Sequence, residues 1–130
     1  DKIHADIRRT AEHIAAAQGA TVTVEIDRGY PVTYNDPELT EMMAPTLERV
    51  GGENAVRVDA ITGAEDFSFF QKEIPGLYFF TGGMSPDADP SEVAPHHTPD
   101  FYIDEAGMKT GVRALANLAI DYMLMHADGE

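Results

Sequence analysis

Thr21-Val22-Thr23-Val24-Glu25-Ile26 alternates polar and apolar side chains without a break, which is the period of a half-buried strand. The residues before it keep a different period. Ile3, Ile7, Ala11 and Ile14 recur at i, i+4, i+8 and i+11, a spacing that predicts one apolar face of a helix over residues 1–18. Lys2, Arg8, Arg9 and Glu12 fall largely elsewhere. Gly19 stands where a helix C-terminus wants a left-handed residue. The switch of period decides the fold class, because a helix followed at once by a strand is an αβ unit. Its helix face and its sheet edge both need partners.

The remaining chain continues the alternation. Tyr30-Pro31-Val32-Thr33-Tyr34-Asn35 reads as an extended crossing between domains. Asp36 and Pro37 open a second helix as N-cap and first-turn residue, with Leu39, Met42, Met43, Leu47 and Val50 as its stripe. Pro45 inside that pattern is expected to kink or interrupt it, and Gly51-Gly52 to stop it. Ala55-Val56-Arg57-Val58 predicts a short strand, and residues 65–72 a short helix with Glu65 and Asp66 in its first turn, where the helix dipole favours acids. Leu77-Tyr78-Phe79-Phe80 is apolar without alternation, as in a strand buried on both faces. Residues 81–100 form a long loop with four prolines. A last helix is expected from about Asp104 to about His126, with a stripe of Met108, Val112, Leu115, Leu118, Ala119 and Tyr122. This order predicts an α/β layered architecture with helices on a sheet.

Composition narrows the function. The chain of 130 residues carries 23 acids against 9 bases, a formal net charge of -14. No Lys/Arg cluster is present to neutralise phosphates, so neither nucleic acid nor an anionic membrane surface is an expected partner. There is no Cys, hence no disulfide, thiolate nucleophile or Cys-based zinc site. No apolar run is long enough to span a bilayer. The compartment is not legible, and a soluble protein of cytoplasm or periplasm is the expectation. Asp1-Lys2-Ile3 reads like the inside of a helix, which predicts a piece of a longer protein.

Chemistry concentrates in two places. Gly63-Ala64-Glu65-Asp66 puts two carboxylates at a loop-to-helix turn, and Gly63 allows a close backbone approach or a positive φ. The carboxylates could ligate a metal, orient a histidine, or simply accept N–H bonds at a helix start. His96-His97-Thr98-Pro99 offers imidazoles in the Pro-rich loop, and neutral imidazole is a common ligand of zinc, manganese or cobalt. Successive residues of an extended segment face opposite ways, so one of the two histidines is expected to face a site. Ser68 lacks a nucleophile-elbow pattern, and Thr81-Gly82-Gly83 lacks the Lys-Ser or Lys-Thr of a phosphate loop.

Taken in order, Tyr30-Pro31, Asn35-Asp36-Pro37, Gly63-Ala64-Glu65-Asp66-Phe67-Ser68, Pro75-Gly76, and His97-Thr98-Pro99-Asp100-Phe101 with Asp104-Glu105 and Gly111 resemble the M20 metallopeptidase family. The aminoacylase, hippurate hydrolase and auxin-conjugate hydrolase branch is the most similar. The resemblance covers essentially the whole chain, and its specificity lies in the order and spacing of motifs that are each weak alone. It implies a dinuclear metal-dependent amidohydrolase acting on N-acyl amino acids or peptide-like amides. It also implies a catalytic α/β domain interrupted by a ferredoxin-like α+β lid that forms homodimers. Residues 1–34 resemble the last αβ unit of the lid, and residues 35–130 the C-terminal part of the catalytic domain. His97 matches the family's last metal ligand. Gly63, Glu65, Asp66 and Asn35 match the substrate end of the cleft.

The other ligands of two divalent ions (zinc, manganese or cobalt) and the Glu that activates water come from the family's N-terminal half. At most one ligand and no catalytic residue are therefore expected here, and the isolated piece is expected to be inactive. The alternative expectation is a non-catalytic self-association domain, built on the open edge and apolar helix face of residues 1–26.

Overall fold

The structure, a computed structural model, describes residues 1–127. The last residues of the expected catalytic part, 128–130, lie outside them. The chain divides into two compact units at Pro31–Val32.

In the first unit, α1 (Lys2–Ala17) forms as the apolar spacing predicts. Its end is a Schellman turn. Gly19 takes φ 67, its N–H reaches the Ala16 carbonyl at 3.0 Å, and the Ala20 N–H reaches the Ala15 carbonyl at 2.9 Å. Residues 20–31 then carry no helix or strand and turn at Gly29, whose φ is 57 and whose N–H donates to Asp27 Oδ1 at 2.9 Å. Arg8 donates from Nη1 to the Val24 carbonyl at 2.6 Å, and Arg28 pairs with Asp1. Val24 and Ile26 are half-buried while Thr23 and Glu25 are exposed, so the alternation is visible as burial.

The second unit is organised by two helices. In α2 (Pro37–Gly51), Asp36 accepts from the Leu39 N–H at 2.8 Å and Pro37 occupies the first turn. Of the two effects expected of Pro45, interruption does not occur, and α2 runs through it. Its missing N–H costs one rung of the ladder, but its ring is exposed and the turns on either side hold. Gly52, at φ 59, closes the helix and leads into a 3-10 turn at Gly52–Asn54. A short α3 (Phe67–Phe70) follows, then a 3-10 turn at Glu105–Gly107 and α4 (Met108–His126). Asp104 caps that last start by accepting from the Ala106 N–H at 2.8 Å.

The core lies where α2 meets α4, with Met43 2% and Ala114 4% exposed and Thr46 buried beside them. Thr46 Oγ1 and Arg49 Nη2 both donate to Asp121 Oδ2 at 2.6 Å, and Arg49 Nη1 donates to Asn117 Oδ1 at 3.0 Å. The face that α4 turns to α2 is therefore Ala114, Asn117 and Asp121, at i, i+3 and i+7. This corrects the expected stripe. Leu118 is half-buried, but Leu115 and Val112 are 63% and 68% exposed. The reason lies on α2, whose crossing presents Thr46 and Arg49 and so selects a small and polar partner face.

The expected α/β layering is corrected as well. Among the described residues there is no strand. Residues 21–26, 55–58 and 77–80, the expected strands, carry no regular secondary structure, and no backbone ladder joins them. A strand exists only when its N–H and C=O groups are exchanged with a neighbour, and none of the described segments lies beside another in that way. The chain 81–83 is instead held against the start of α4. Asp104 N–H donates to the Gly83 carbonyl at 2.7 Å, and a Cβ on Gly107 would collide with the Gly82 carbonyl oxygen. No helix among the described residues is long and apolar enough to cross a membrane.

Two outcomes test this packing. Met43→Ala empties a buried position and should cost roughly 2–5 kcal/mol in denaturant unfolding. The Asp121 carboxyl is held below its ordinary value of 3.8, first by the Thr46 hydroxyl and then by Arg49. A depressed carboxylate lends stability that is complete above its unfolded value and lost as pH falls through its folded value. Asp121→Asn should therefore lower stability at neutral pH and flatten the acid limb of the stability curve below about pH 4.

Candidate functional site

The acidic turn comes first. Asp66 sits at the start of α3 in a helical conformation, and its carboxylate caps nothing. The Glu65 and Asp66 carbonyls accept from the Ser68 and Phe69 N–H groups at 3.1 and 3.0 Å. The helix is shorter than the expected 65–72, and both acids precede it rather than filling its first turn. Their backbone therefore starts α3, while their side chains are left for other partners. Gly63 is exposed, takes no positive φ, and has open space where a Cβ would stand. Neither conformational freedom that the sequence offered is used there.

Glu65 acts on a residue that the sequence reading passed over. The Tyr78 phenol is pushed above its ordinary range, first by burial and then by the Glu65 carboxylate and the charge of Asp66. Tyr78 is itself fixed in two ways. Its ring stands 5.7 Å from Phe67 and 5.3 Å, edge on, from Phe80. Its backbone is bracketed by Asn35, whose Nδ2 donates to the Tyr78 carbonyl at 2.7 Å and whose Oδ1 accepts from the Tyr78 N–H at 2.7 Å. Gln71 completes the group. Its Nε2 donates to Asn35 Oδ1 at 3.2 Å, and its Oε1 accepts from the Tyr34 N–H at 3.0 Å. The signal for Tyr78 was present, since a tyrosine inside an apolar run carries a polar tip that seeks a partner when buried.

The histidine loop is built from turns. Thr98 Oγ1 donates to the Pro95 carbonyl at 2.7 Å, and the Phe101 N–H to the Thr98 carbonyl at 3.2 Å. The His96 ring lies 4.6 Å from the Phe101 ring and tilted 36° to it. His97 is exposed and holds φ 65, the one left-handed non-glycine residue among those described. Its imidazole nitrogens make no hydrogen bond among the described residues. The two imidazole rings also touch each other, 6.4 Å apart and tilted 52°, and of the two only His96 lies against Phe101.

The structure joins Asn35 to the Tyr78 backbone, and the carboxylates of Glu65 and Asp66 raise the Tyr78 phenol above its ordinary range. No hydrogen bond, ion pair or ring contact joins His97 to these residues or to Gly63 among the described residues. No three His, Asp or Glu side chains gather there as a metal ion would require. A shallow apolar groove runs along α1, lined by Ile3, Asp6, Ile7, Thr10, Ala11 and Ile14, and is formed by that helix alone.

His97 provides a direct test. Replacing it by Gly or by Ala removes the same ring, but only Ala must keep a side chain at φ 65. His97→Gly should be more stable than His97→Ala by about 1 kcal/mol in thermal or denaturant unfolding.

Comparison with known proteins gives the chain its relatives. Residues 3–121 match the model of peptidase family M20/M25/M40. A thermostable carboxypeptidase 2 of Saccharolobus solfataricus is 35% identical over 117 residues, which are 89% of this chain and 29% of that protein. An IAA-amino acid hydrolase ILR1-like 4 of Arabidopsis thaliana is 33% identical over 96 residues, 73% of this chain and 21% of that protein. An N-acetyldiaminopimelate deacetylase of Lacticaseibacillus paracasei is 30% identical over 126 residues, 95% of this chain and 31% of that protein. No solved structure matches. The chain spans less than a third of the length of these relatives. With the family model covering nearly all of its residues, this chain belongs to peptidase family M20/M25/M40.

Proposed function

We propose that these residues are the C-terminal portion of a dinuclear metal-dependent amidohydrolase whose substrates are N-acyl amino acids or related small amides. The observation that carries the reading is the family match over residues 3–121, within which His97 is presented from a left-handed turn with its ring nitrogens making no hydrogen bond among the described residues. The three relatives support the substrate class, since their names describe a carboxypeptidase, a hydrolase of an amino acid conjugate and a deacetylase.

On this reading a pair of divalent ions, zinc, manganese or cobalt, supplies Lewis acidity to the acyl carbonyl when bound. The residues of this chain do not make such a site by themselves, because a single imidazole is too few donors. Their share is narrower. His97 offers one neutral nitrogen, Nε2, as ligand. Glu65 and Asp66, beside Gly63, present carboxylates at the substrate face, where an amide N–H is a natural donor to them. Asn35 serves the same face. The remaining ligands and the water-activating carboxylate belong to the rest of the polypeptide, so the 130 residues alone are inactive. Residues 1–34 belong to a lid that pairs two copies.

The apolar groove on α1 favours a second reading, a self-association domain without chemistry. One experiment separates them. The polypeptide that carries these residues together with the remaining two thirds is assayed for release of amino acid from N-acyl amino acids. Metal content is measured alongside. The enzyme reading expects hydrolysis, about two metal ions per chain, and at least a 100-fold loss of activity together with loss of metal in His97→Ala. Full activity and unchanged metal content in that variant sink His97 as ligand. Absence of hydrolysis and metal, with dimers by ultracentrifugation, gives the self-association reading instead.

A further inference from the structure

We infer that Thr98 is a positioning residue for His97, its hydroxyl holding the left-handed backbone from which the imidazole is presented. The inference rests on the reading above for what that imidazole binds, while the hold on the backbone is read from geometry.

The chain reversal at Pro95–Thr98 has few places to fall. Pro95 and Pro99 flank it. A residue before a proline is steered away from the helical region into extended backbone, so Thr98 is a poor place to reverse the chain. The reversal is left to His96 and His97, and of the two His97 takes the positive φ, 65. It is the third of the four residues, the position at which a type II turn demands φ > 0 and ordinarily holds glycine. A residue with a side chain stays there only when its surroundings impose it.

Thr98 imposes it. Its Oγ1 donates to the Pro95 carbonyl at 2.7 Å, so one bond spans both histidines. Its own carbonyl accepts from the Phe101 N–H at 3.2 Å, so the residue that closes the turn is itself held by the next one. His96 is anchored by its ring, 4.6 Å from that of Phe101. Magnitudes give the hydroxyl its weight. The penalty of a left-handed residue with a Cβ is of the same size as the net worth of one hydrogen bond. Loss of that single bond is therefore enough to let His97 leave the left-handed region. A rotation of φ carries the Cα–Cβ bond and the ring with it. The ring nitrogens of His97 make no hydrogen bond among the described residues, so its direction comes from the backbone and from the His96 ring beside it.

The test uses the intact polypeptide and does not depend on turnover. Thr98→Val keeps the branched shape and loses the hydroxyl, whereas Thr98→Ser keeps a hydroxyl on a smaller side chain. Two quantities are read for each variant. One is the φ of His97 in the crystal structure of the metal-free protein. The other is the affinity for zinc ion, by competition with a chromophoric chelator. Thr98→Val is expected to move His97 out of the left-handed region and to weaken zinc binding about tenfold or more. Thr98→Ser is expected to keep the wild-type φ and affinity, a rescue that general loosening of the loop would not give. If φ stays left-handed in Thr98→Val, the inference is overturned whatever the affinity. If φ moves and the affinity does not, the ring reaches its place without that backbone, and the inference is overturned as well. Should Thr98→Val fail to fold, Thr98→Ala takes its place in both measurements. A wild type that binds no zinc refutes His97 as a ligand, while φ in the variants still decides whether the hydroxyl holds the backbone.

Discussion

Asn35 stands where a neighbouring strand would stand. A backbone residue in an extended segment has one donor and one acceptor to satisfy, and at Tyr78 both are met by a single side-chain amide. Around that bracket the rest of the second unit takes its place. The residue after Asn35 caps α2, and its N–H is given to the Gly76 carbonyl at 3.0 Å. Segment 76–83, aligned in this way, runs on to the start of α4, where Gly82, Gly83 and Gly107 come close. One amide thus ties the opening of α2 to the apolar segment 77–80.

The histidine loop follows another logic. Its shape comes from short local turns and from one ring contact, His96 on Phe101. That leaves the strain at a single position, His97. A left-handed non-glycine residue is unfavourable unless its surroundings determine it, and the turns on both sides do so here. The two adjacent imidazoles touch each other but differ in surroundings, since only His96 lies against Phe101.

What was legible in the sequence was what depends on neighbours in sequence. Gly19 ends α1, Asp36 and Pro37 begin α2, Gly52 closes it and Asp104 precedes α4, because capping is settled within about four residues. The alternation of 21–26 and the apolar run 77–80 were legible for the same reason. Their pairing was not, since a ladder is a property of two segments. The buried face of α4 was missed because hydrophobic spacing assumes an apolar partner, whereas Thr46 and Arg49 on α2 select Ala114, Asn117 and Asp121. At the candidate site, the motifs located His97, Glu65 and Asp66, but spacing alone could not choose between His96 and His97. Nor could it show Asn35 bracketing the Tyr78 backbone, a contact that requires the chain to turn back on itself after α3.

The face of α4 that does not meet α2 has a colloidal consequence. Val112 and Leu115 lie on its outer side with Met108 and Tyr122, and in water such a stripe attracts its own kind. The opposing force is the chain's net charge of -14, which keeps like molecules apart over about a Debye length, roughly 10 Å at 0.1 M salt. Both acid, which neutralises carboxylates, and salt, which shortens that length, remove the repulsion and leave the stripe. The residues that decide whether these molecules stay dispersed are therefore the acids scattered over the whole surface, far more than any single side chain on α4.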